Sequence, residues 1–190
     1  MKTSPKQREL RGLATLLGFP EHPVTFVPII WGQKTPYTKA WQLVTPEEGA
    51  AEPYWKKLNR YGNTGLLLGE ASGGLCAIDC DKDDDVKAWL KANPALHDTL
   101  QRVGKKGLVF IIRITDDIPR NRNFAGRGEW KAKGTQVVLR GGHPSGVDYR
   151  HNGKAPIPMS FRELTFPAGW EMKKSSRGTP QKKFFSILHP

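Results

Sequence analysis

Apolar positions in the first third of the chain switch between a helical and an extended spacing. Four leucines at helical spacing predict an amphipathic helix over Lys6–Leu17, and Gly18 ends it. The apolar run Val24–Ile30 predicts a short strand, in which Pro28 favours the edge of a sheet or the end of the strand. A Thr-Pro-Glu-Glu capping box beginning at Thr45 predicts the start of a second helix.

The centre of the chain contains apolar runs of strand length and a further amphipathic segment. The runs Thr64–Gly69 and Leu75–Asp79 are separated by glycines, and we expect them to form an antiparallel hairpin. A helix with acidic residues in its first turn is predicted over Asp83–Asn93. Strands are predicted over Gly107–Ile114 and Thr135–Leu139. This mixture of strands and helices predicts an α+β or mixed α/β domain.

Composition indicates one loop-rich domain with a polyanionic partner. The chain has 190 residues, including 20 glycines and 15 prolines, and this length fits one domain. Lysine and arginine number 30 against 18 acidic residues, and the net charge of +12 favours partners that carry phosphates. The last residues are rich in Lys, Ser, Gly and Pro. We therefore expect a domain over 1–170 and a basic tail over 171–190 that is either disordered or ordered by a partner.

The same composition excludes several classes of protein. No run approaches the ~18 apolar residues of a membrane span, and the N-terminus lacks the apolar segment of a secretory signal. We therefore expect a cytoplasmic protein without membrane contact. Cys76 and Cys80 are too few for a disulfide framework or a four-ligand zinc site, and we expect both to be buried free thiols.

The candidate chemistry lies in two carboxylates at the end of a predicted strand. Asp79 and Asp81 are two residues apart, so an extended backbone directs both side chains to the same side. Such a pair can hold one divalent cation or bracket two, and oxygen ligands favour Mg²⁺ or Mn²⁺ over zinc. Glu129 is a candidate third carboxylate, although a single Glu in a loop-rich segment is usually a surface residue.

Other interpretations of these acids stay open. Asp79, Asp81 and Asp83 match the opening of a calcium-binding loop, but Asp84 and Leu90 stand where that loop needs Gly and Glu. The acids that begin the next helix also suit its cap and first turn. Asp79 is equally suited to accept hydrogen bonds from loop amides at the end of its strand.

Several short motifs follow one another in a specific order. They are Lys34-Thr35-Pro36 with Trp41, Asn63–Gly69, Ser72–Leu75, Ile78–Asp81, Glu129–Lys131, Gly134–Leu139 and His143–Gly146. Together they resemble the primase-polymerase domain at the N-terminus of bifunctional replication proteins of phages and plasmids. That domain is a branch of the archaeo-eukaryotic primase superfamily. The resemblance implies an α+β fold with a mostly antiparallel central sheet and flanking helices.

The resemblance also implies an activity, namely primase and DNA polymerase chemistry by metal-dependent nucleotidyl transfer. Nucleoside triphosphates would be the substrates and single-stranded DNA the template. Asp79, Asp81 and Glu129 would hold two Mg²⁺ or Mn²⁺ ions. No helicase motif is visible, so a replicative helicase would act in trans. A non-catalytic DNA-binding replication module on the same fold and a metal-dependent nuclease are the alternatives.

One position departs from the family pattern. A His that is expected to contact nucleotide phosphates is replaced by Val109. Lys105 and Lys106, on the preceding turn, either supply the missing positive charge or are ordinary solvated lysines. His143 lies in a later loop, where it either lines the site or serves as a turn residue. The replacement by Val109 is the feature that favours the non-catalytic alternative.

Basic residues flank the predicted site, mostly in and after an irregular loop predicted over Asp116–Arg127. Phe124 and Trp130 occur among them, and cations combined with aromatic rings suit a single-stranded template. Trp130 is also suited to the core. The predicted DNA-binding residues are Arg113, Arg120, Arg122, Arg127, Lys131, Lys133 and Arg140.

Overall fold

The computed structural model describes residues 5–170, which form an α+β domain. The predicted basic tail over 171–190 lies outside the described residues. The four α-helices of the described range are α1 Pro5–Leu16, α2 Pro46–Ala50, α3 Glu52–Tyr61 and α4 Asp83–Ala92. Its strands are β1 Phe26–Ile30, β2 Gly62–Leu67, β3 Leu75–Cys80, β4 Leu100–Val103, β5 Leu108–Ile114, β6 Arg122–Phe124, β7 Gly128–Lys131, β8 Gln136–Gly142, β9 Asp148–His151 and β10 Pro158–Met159.

The strands form one continuous sheet in the order β1-β2-β8-β9-β4-β5-β3-β7-β6, with β10 beside β5. The pairs along this order are antiparallel, and β10 pairs with β5 in parallel. The mostly antiparallel sheet with flanking helices confirms the predicted fold class. Strand β1 lies at the edge of the sheet, which agrees with the Pro28 pattern.

The helices pack on the two faces of the sheet. One core contains the apolar faces of α1 and α3 together with Leu75 and Ala77 of β3. The other core contains Trp89 of α4 and the alternate β3 residues Cys76 and Ile78. Strand β3 is therefore buried on both faces, which explains its nearly continuous apolar sequence. No described helix is long and apolar enough to cross a membrane.

The predicted hairpin between the second and third strands is wrong. Strand β2 pairs with β1 and β8, whereas β3 pairs with β5 and β7. Direct pairing between the two runs is limited to a bridge from Gly69 to Leu75, where Gly69 has a φ of +86°. The chain turns away at this glycine because a short 3-10 helix, Glu70–Ser72, fills the connection.

The loop predicted over Asp116–Arg127 is only partly irregular, because it contains β6. Strand β4 was missed altogether, since two of its four residues are Gln101 and Arg102. The capping box at Thr45 is present in full. Cys76 and Cys80 are buried free thiols, as predicted, and burial raises the pKa of Cys76 to about 12.

Candidate functional site

The register of three neighbouring strands places two of the predicted carboxylates side by side. Asp79 of β3 lies opposite Glu129 of β7 on one side and opposite Val109 of β5 on the other. Residues directly opposite in antiparallel strands direct their side chains to the same face of the sheet. Asp79 and Glu129 are therefore neighbours, although 49 positions separate them in the sequence.

The three predicted acids line one polar cavity of about 250 Å³ at the end of β3. Asp81 follows β3 directly, and its backbone N–H donates to the carbonyl of Arg127 at 2.8 Å. This bond holds the residue after the strand against the β6–β7 turn. The cavity lining includes Lys34, Asp79, Asp81, Asn123, Glu129 and Lys131.

A lysine ammonium bridges two of the carboxylates. Lys131 Nζ lies 2.8 Å from Asp79 Oδ2 and 2.9 Å from Glu129 Oε2. Burial alone would lower the pKa of Lys131, but the charge of Asp79 and hydrogen bonds to both carboxylates outweigh it, so this pKa is raised. Asn123 donates to Glu129 Oε1 at 3.0 Å. The carboxylates thus have a cation between them and are oriented by a neighbouring amide.

The carboxylates are suitable ligands for a divalent cation, but their present side-chain positions do not form a metal site. Carboxylate oxygens are the ligands that Mg²⁺ and Mn²⁺ prefer, and the cavity attracts positive charge, as the position of Lys131 shows. Within residues 5–170, no group of three His, Cys, Asp or Glu side chains is close enough to hold a metal ion. Metal binding would therefore require Lys131 to leave Asp79 and Glu129.

The position that lacks a histidine is entirely apolar and buried. Val109 lies opposite Asp79 and is 0% exposed, in the core that also contains α1 and α3. The turn that carries Lys105 and Lys106 ends at Gly107, which has a φ of +64° and lies against the carbonyl of Cys80. This close contact between Gly107 and Cys80 places the turn beside the end of β3. The role of Lys105 and Lys106 in nucleotide binding stays a prediction.

His143 lies in a tight turn near other cations. Its Nδ1 lies 2.7 Å from Ser145 Oγ, and its ring packs edge-on against Tyr149 with centroids 5.5 Å apart. Burial, followed by the charges of Lys34, Arg102 and Lys105, lowers the pKa of His143. The loop is therefore part of a positively charged region.

Arg102 is a candidate that the sequence reasoning missed. It lies opposite Val109, so Arg102, Val109 and Asp79 form a row across three strands on one face. Its guanidinium lies over the Tyr149 ring, 4.8 Å from the centroid. No ion pair of Arg102 occurs among the described residues, and its buried Nε has no hydrogen-bond partner there.

The pKa of Arg102 is lowered by burial, against the opposing effect of the Asp79 carboxylate. A half-buried cation without a paired acid is costly, so its place in the same cross-strand row as Asp79 is informative. No sequence pattern identifies it, because Leu100-Gln101-Arg102-Val103 does not alternate between apolar and polar residues and is only four residues long. Lys34, the first residue of the Lys-Thr-Pro motif, was not predicted as a site residue. The structure places it in the lining of the cavity.

The predicted DNA-binding arginines do not form one surface. Arg113 is 8% exposed, and its guanidinium donates to the carbonyls of Leu17, Ser72 and Gly73. The DNA-contact prediction for Arg113 is therefore wrong, because this side chain joins α1 to the β2–β3 connection. Arg122 lies opposite Trp130, on the face away from the carboxylates.

Other predicted cations have acidic partners. Arg127 pairs with Asp85, Arg140 with Glu9, and Lys133 with Glu70. Lys131 lies in the cavity itself. Arg120 is exposed, and its contact with DNA stays a prediction, as do those of the paired residues.

The predicted aromatic stacking residues belong to the core. Phe124 is 7% exposed and Trp130 is 1% exposed, and both pack in the core that contains Trp89. Neither ring is available to a nucleobase, so a stacking role for Phe124 and Trp130 is wrong. The alternative that Trp130 belongs to the core is confirmed.

Taken together, the antiparallel sheet and the carboxylates at and beside the end of β3 define a candidate active site of the primase-polymerase class. The model of the bifunctional DNA primase/polymerase N-terminal domain family matches residues 16–164, and the chain belongs to this family. The match confirms the resemblance and supports a primase/polymerase-type function in DNA replication. Among curated proteins, none matches the chain.

Proposed function

We propose that the protein carries out template-dependent nucleotidyl transfer on single-stranded DNA, as a primase and DNA polymerase in the replication of a phage or plasmid. The observation that carries this proposal is the convergence of Asp79, Asp81 and Glu129 on one cavity, with a cation between two of them. Three carboxylates facing one polar cavity are unfavourable unless positive charge compensates them. Family membership gives this cavity its chemical context.

Asp79, Asp81 and Glu129 would hold Mg²⁺ or Mn²⁺. Bound there, the metal would supply charge neutralisation at a triphosphate and would make a hydroxyl more acidic. Asn123 orients Glu129 through its hydrogen bond. Lys131 offsets part of the charge of Asp79 and Glu129 and would move away if a divalent cation took its place.

The phosphates of a nucleoside triphosphate have a positively charged region to bind beside these acids. Lys34 lines the cavity, and Arg102 lies two strands from Asp79 on the same face. Burial and the charges of Lys34, Arg102 and Lys105 lower the pKa of His143. These three cations therefore lie near the His143 ring. A guanidinium without a carboxylate partner suits a phosphate group, since it offers several hydrogen-bond donors.

A non-catalytic DNA-binding module is the second candidate. The observation that favours it is Val109, which is apolar and buried where the family has a phosphate-contacting His, while the Lys131 ammonium already offsets part of the charge of Asp79 and Glu129. Such a module would bind single-stranded DNA through its net positive charge. It would not consume nucleoside triphosphates.

The test is incorporation of a labelled nucleotide on single-stranded DNA, with and without a primer, in Mg²⁺ and in Mn²⁺. The site variant is Asp79→Asn/Asp81→Asn. The matched control is Asp83→Asn/Asp84→Asn, which removes two exposed acids from the first turn of α4. We expect metal-dependent product from the wild type and the control and none from the site variant.

Absence of product from a wild-type protein that still binds DNA would overturn the proposal in favour of the binding module. Metal-dependent cleavage of the DNA without added nucleotides would overturn it in favour of a nuclease. Equal product from the site variant and the control would place the chemistry elsewhere in the chain.

A further inference from the structure

Trp31, immediately after β1, presents a large apolar ring to solvent. Trp31 is 59% exposed, whereas Trp89, Trp130 and Trp170 are at most 1% exposed. A tryptophan contributes to folding chiefly when it is buried, so this degree of exposure is not explained by stability. Exposed aromatic rings near a functional cavity are typical of binding surfaces.

Two glycines make room for this indole. A Cβ at Gly142 would come within 2.8 Å of Trp31 Cε2, and a Cβ at Gly62 would come within 3.2 Å of Trp31 Cβ. The ring therefore lies directly against the main chain of β2 and β8. Its position is defined by the backbone of the sheet, even though much of its surface is free.

The loop that carries the ring, residues 31–37 (the Trp31 loop), is held at several points. Buried Asn63 donates to the carbonyl of Gln33 at 3.0 Å and to that of Gly142 at 2.8 Å. Gln136 Nε2 donates to the carbonyl of Lys34 at 2.8 Å, and Tyr37 N–H donates to the carbonyl of Pro28 at 3.0 Å. An exposed ring on a restrained loop loses little conformational freedom when it binds.

The Trp31 loop also contributes to the carboxylate cavity. Lys34, three residues after Trp31, lines the cavity together with Asp79. Gly142, on which the indole lies, directly precedes His143. Within the same loop, Tyr37 is 52% exposed and stacks on Tyr61 with centroids 3.9 Å apart. Exposed aromatic rings and a cation that lines the cavity thus belong to the same loop.

We propose that Trp31 stacks on a base of the single-stranded DNA that leads into the carboxylate cavity, while Lys34 contacts the adjoining phosphate. This inference rests on the proposed function, since it takes the template as the occupant. Lys34 in the same loop, and the cations near His143 next to Gly142, favour a nucleic acid over an apolar protein partner. Stacking on an aromatic ring tolerates every base, as a template-reading protein requires.

The test measures DNA binding rather than catalysis, so it is separable from the test of the proposed function. Binding of a labelled single-stranded oligonucleotide is followed by fluorescence anisotropy with full-length protein. The variants are Trp31→Ala and Trp31→Phe. The matched control is Leu43→Ala, which truncates an apolar residue that is 77% exposed outside the Trp31 loop.

We expect Trp31→Ala to weaken binding about tenfold and Trp31→Phe to weaken it much less, because a phenyl ring still stacks. Leu43→Ala should bind as the wild type does. An oligonucleotide of abasic sites should bind the wild type and Trp31→Ala equally. The salt dependence of binding should be the same for both proteins, since stacking releases no counterions.

Equal affinity of Trp31→Ala and the wild type for the normal oligonucleotide would overturn the inference. So would a defect of the same size on the abasic oligonucleotide, which would mean that the ring contacts only the backbone. A defect confined to binding of a free nucleoside triphosphate would assign the ring to the incoming nucleotide instead. If the wild-type protein incorporates no nucleotide but Trp31→Ala still weakens DNA binding as expected, the proposed catalysis is refuted. The stacking contact of Trp31 then stands.

Discussion

At the scale of single residues, the bridging ammonium of Lys131 sets the charge state of the site. It lies within 2.9 Å of both Asp79 and Glu129. A metal ion and this ammonium would compete for the same carboxylate oxygens. The cost of displacing Lys131 would therefore reduce the apparent affinity of the proposed site for a metal ion.

We predict that Lys131→Met binds Mn²⁺ more tightly than the wild type, because the metal no longer displaces an ammonium. In the absence of metal the variant should lose about 1–2 kcal/mol of unfolding free energy, since two carboxylates then face each other unpaired. Added Mn²⁺ should restore that loss. Calorimetric titration and urea unfolding check the two parts.

Lys133→Met is the control for this prediction. Lys133 is exposed and lies 3.4 Å from Glu70, away from the cavity. Its removal should leave Mn²⁺ affinity unchanged. Equal or weaker Mn²⁺ binding by Lys131→Met would show that the ammonium does not compete with a metal.

Arg102 is the second decisive residue at this scale, because its guanidinium has no acidic partner among the described residues. We predict that Arg102→Gln raises KM for the nucleoside triphosphate about 10- to 100-fold, the value of one or two charge-assisted hydrogen bonds. Steady-state kinetics on a primed template measure the change.

The matched control is Arg150→Gln, an exposed arginine on the adjoining strand β9, opposite Val103. It should leave KM for the triphosphate unchanged. A thermal unfolding curve of Arg102→Gln separates lost binding from lost structure. An unchanged KM in a folded Arg102→Gln would remove this residue from the site.

At the scale of elements, buried Asn63 joins three segments that are distant in the sequence. It accepts a hydrogen bond from the Gly142 N–H at 2.8 Å and donates to the carbonyls of Gly142 and Gln33. Gly141, with a φ of +109°, has no Cβ that would collide with this amide. One side chain therefore fixes the Trp31 loop and the end of β8 to β2.

We predict that Asn63→Ala lowers the free energy of unfolding by about 2–4 kcal/mol, because buried backbone groups lose their partners. It should also weaken binding of single-stranded DNA by loosening the Trp31 loop. Urea unfolding and anisotropy measure the two effects. A loss below about 1 kcal/mol would mean that water or nearby groups replace the amide.

Elements with strong local patterns were predictable from the sequence, and their pairing was less so. The two-residue spacing of Asp79 and Asp81 at the end of an apolar run identified them as a pair, because side chains two apart on an extended backbone share a face. The partner of β3 was predicted wrongly, since adjacency along the chain favours a hairpin while Gly69 directs the chain elsewhere. Strand β4 was too short and polar for its pattern to be recognised.

Long-range contacts set the limit on predicting the site. Arg113 looked like a surface cation, but backbone carbonyls from two distant segments satisfy its guanidinium in the interior. Arg102 became a candidate only when the register placed it in a row with Asp79. The sequence contained both arginines, but only the packing of the sheet distinguishes their roles.

At the scale of the whole molecule, a buried network joins α4, the β6–β7 turn and the last described residue. Asp85 Oδ1 accepts hydrogen bonds from Arg127 Nη1 at 2.8 Å and from Trp170 Nε1 at 3.0 Å. The carbonyl of Arg127 accepts from the N–H of Asp81. Trp170 packs so closely on Gly128 that a Cβ there would lie 2.8 Å from its ring. Residues far apart in sequence thus support the β6–β7 turn, which contacts Asp81 and directly precedes the strand of Glu129.

The network predicts how stability depends on pH. Burial would raise the pKa of Asp85, but hydrogen bonds from Trp170 and Arg127 and the charge of Arg127 outweigh it, so this pKa lies below its ordinary value of 3.8. A carboxyl with a lowered folded-state pKa stabilises the protein above its unfolded-state pKa. That contribution is lost as the pH falls through the folded-state pKa.

We predict that Asp85→Asn is less stable than the wild type by about 2 kcal/mol at pH 7, since the charge-assisted hydrogen bonds are lost. The difference should stay constant down to about pH 5 and narrow below about pH 4, as the wild-type carboxylate takes up a proton. Urea unfolding at several pH values measures it, with Asp84→Asn, an exposed acid of the same helix turn, as the control. A difference that stays constant down to pH 2 would show that the ionised form of Asp85 contributes nothing to stability.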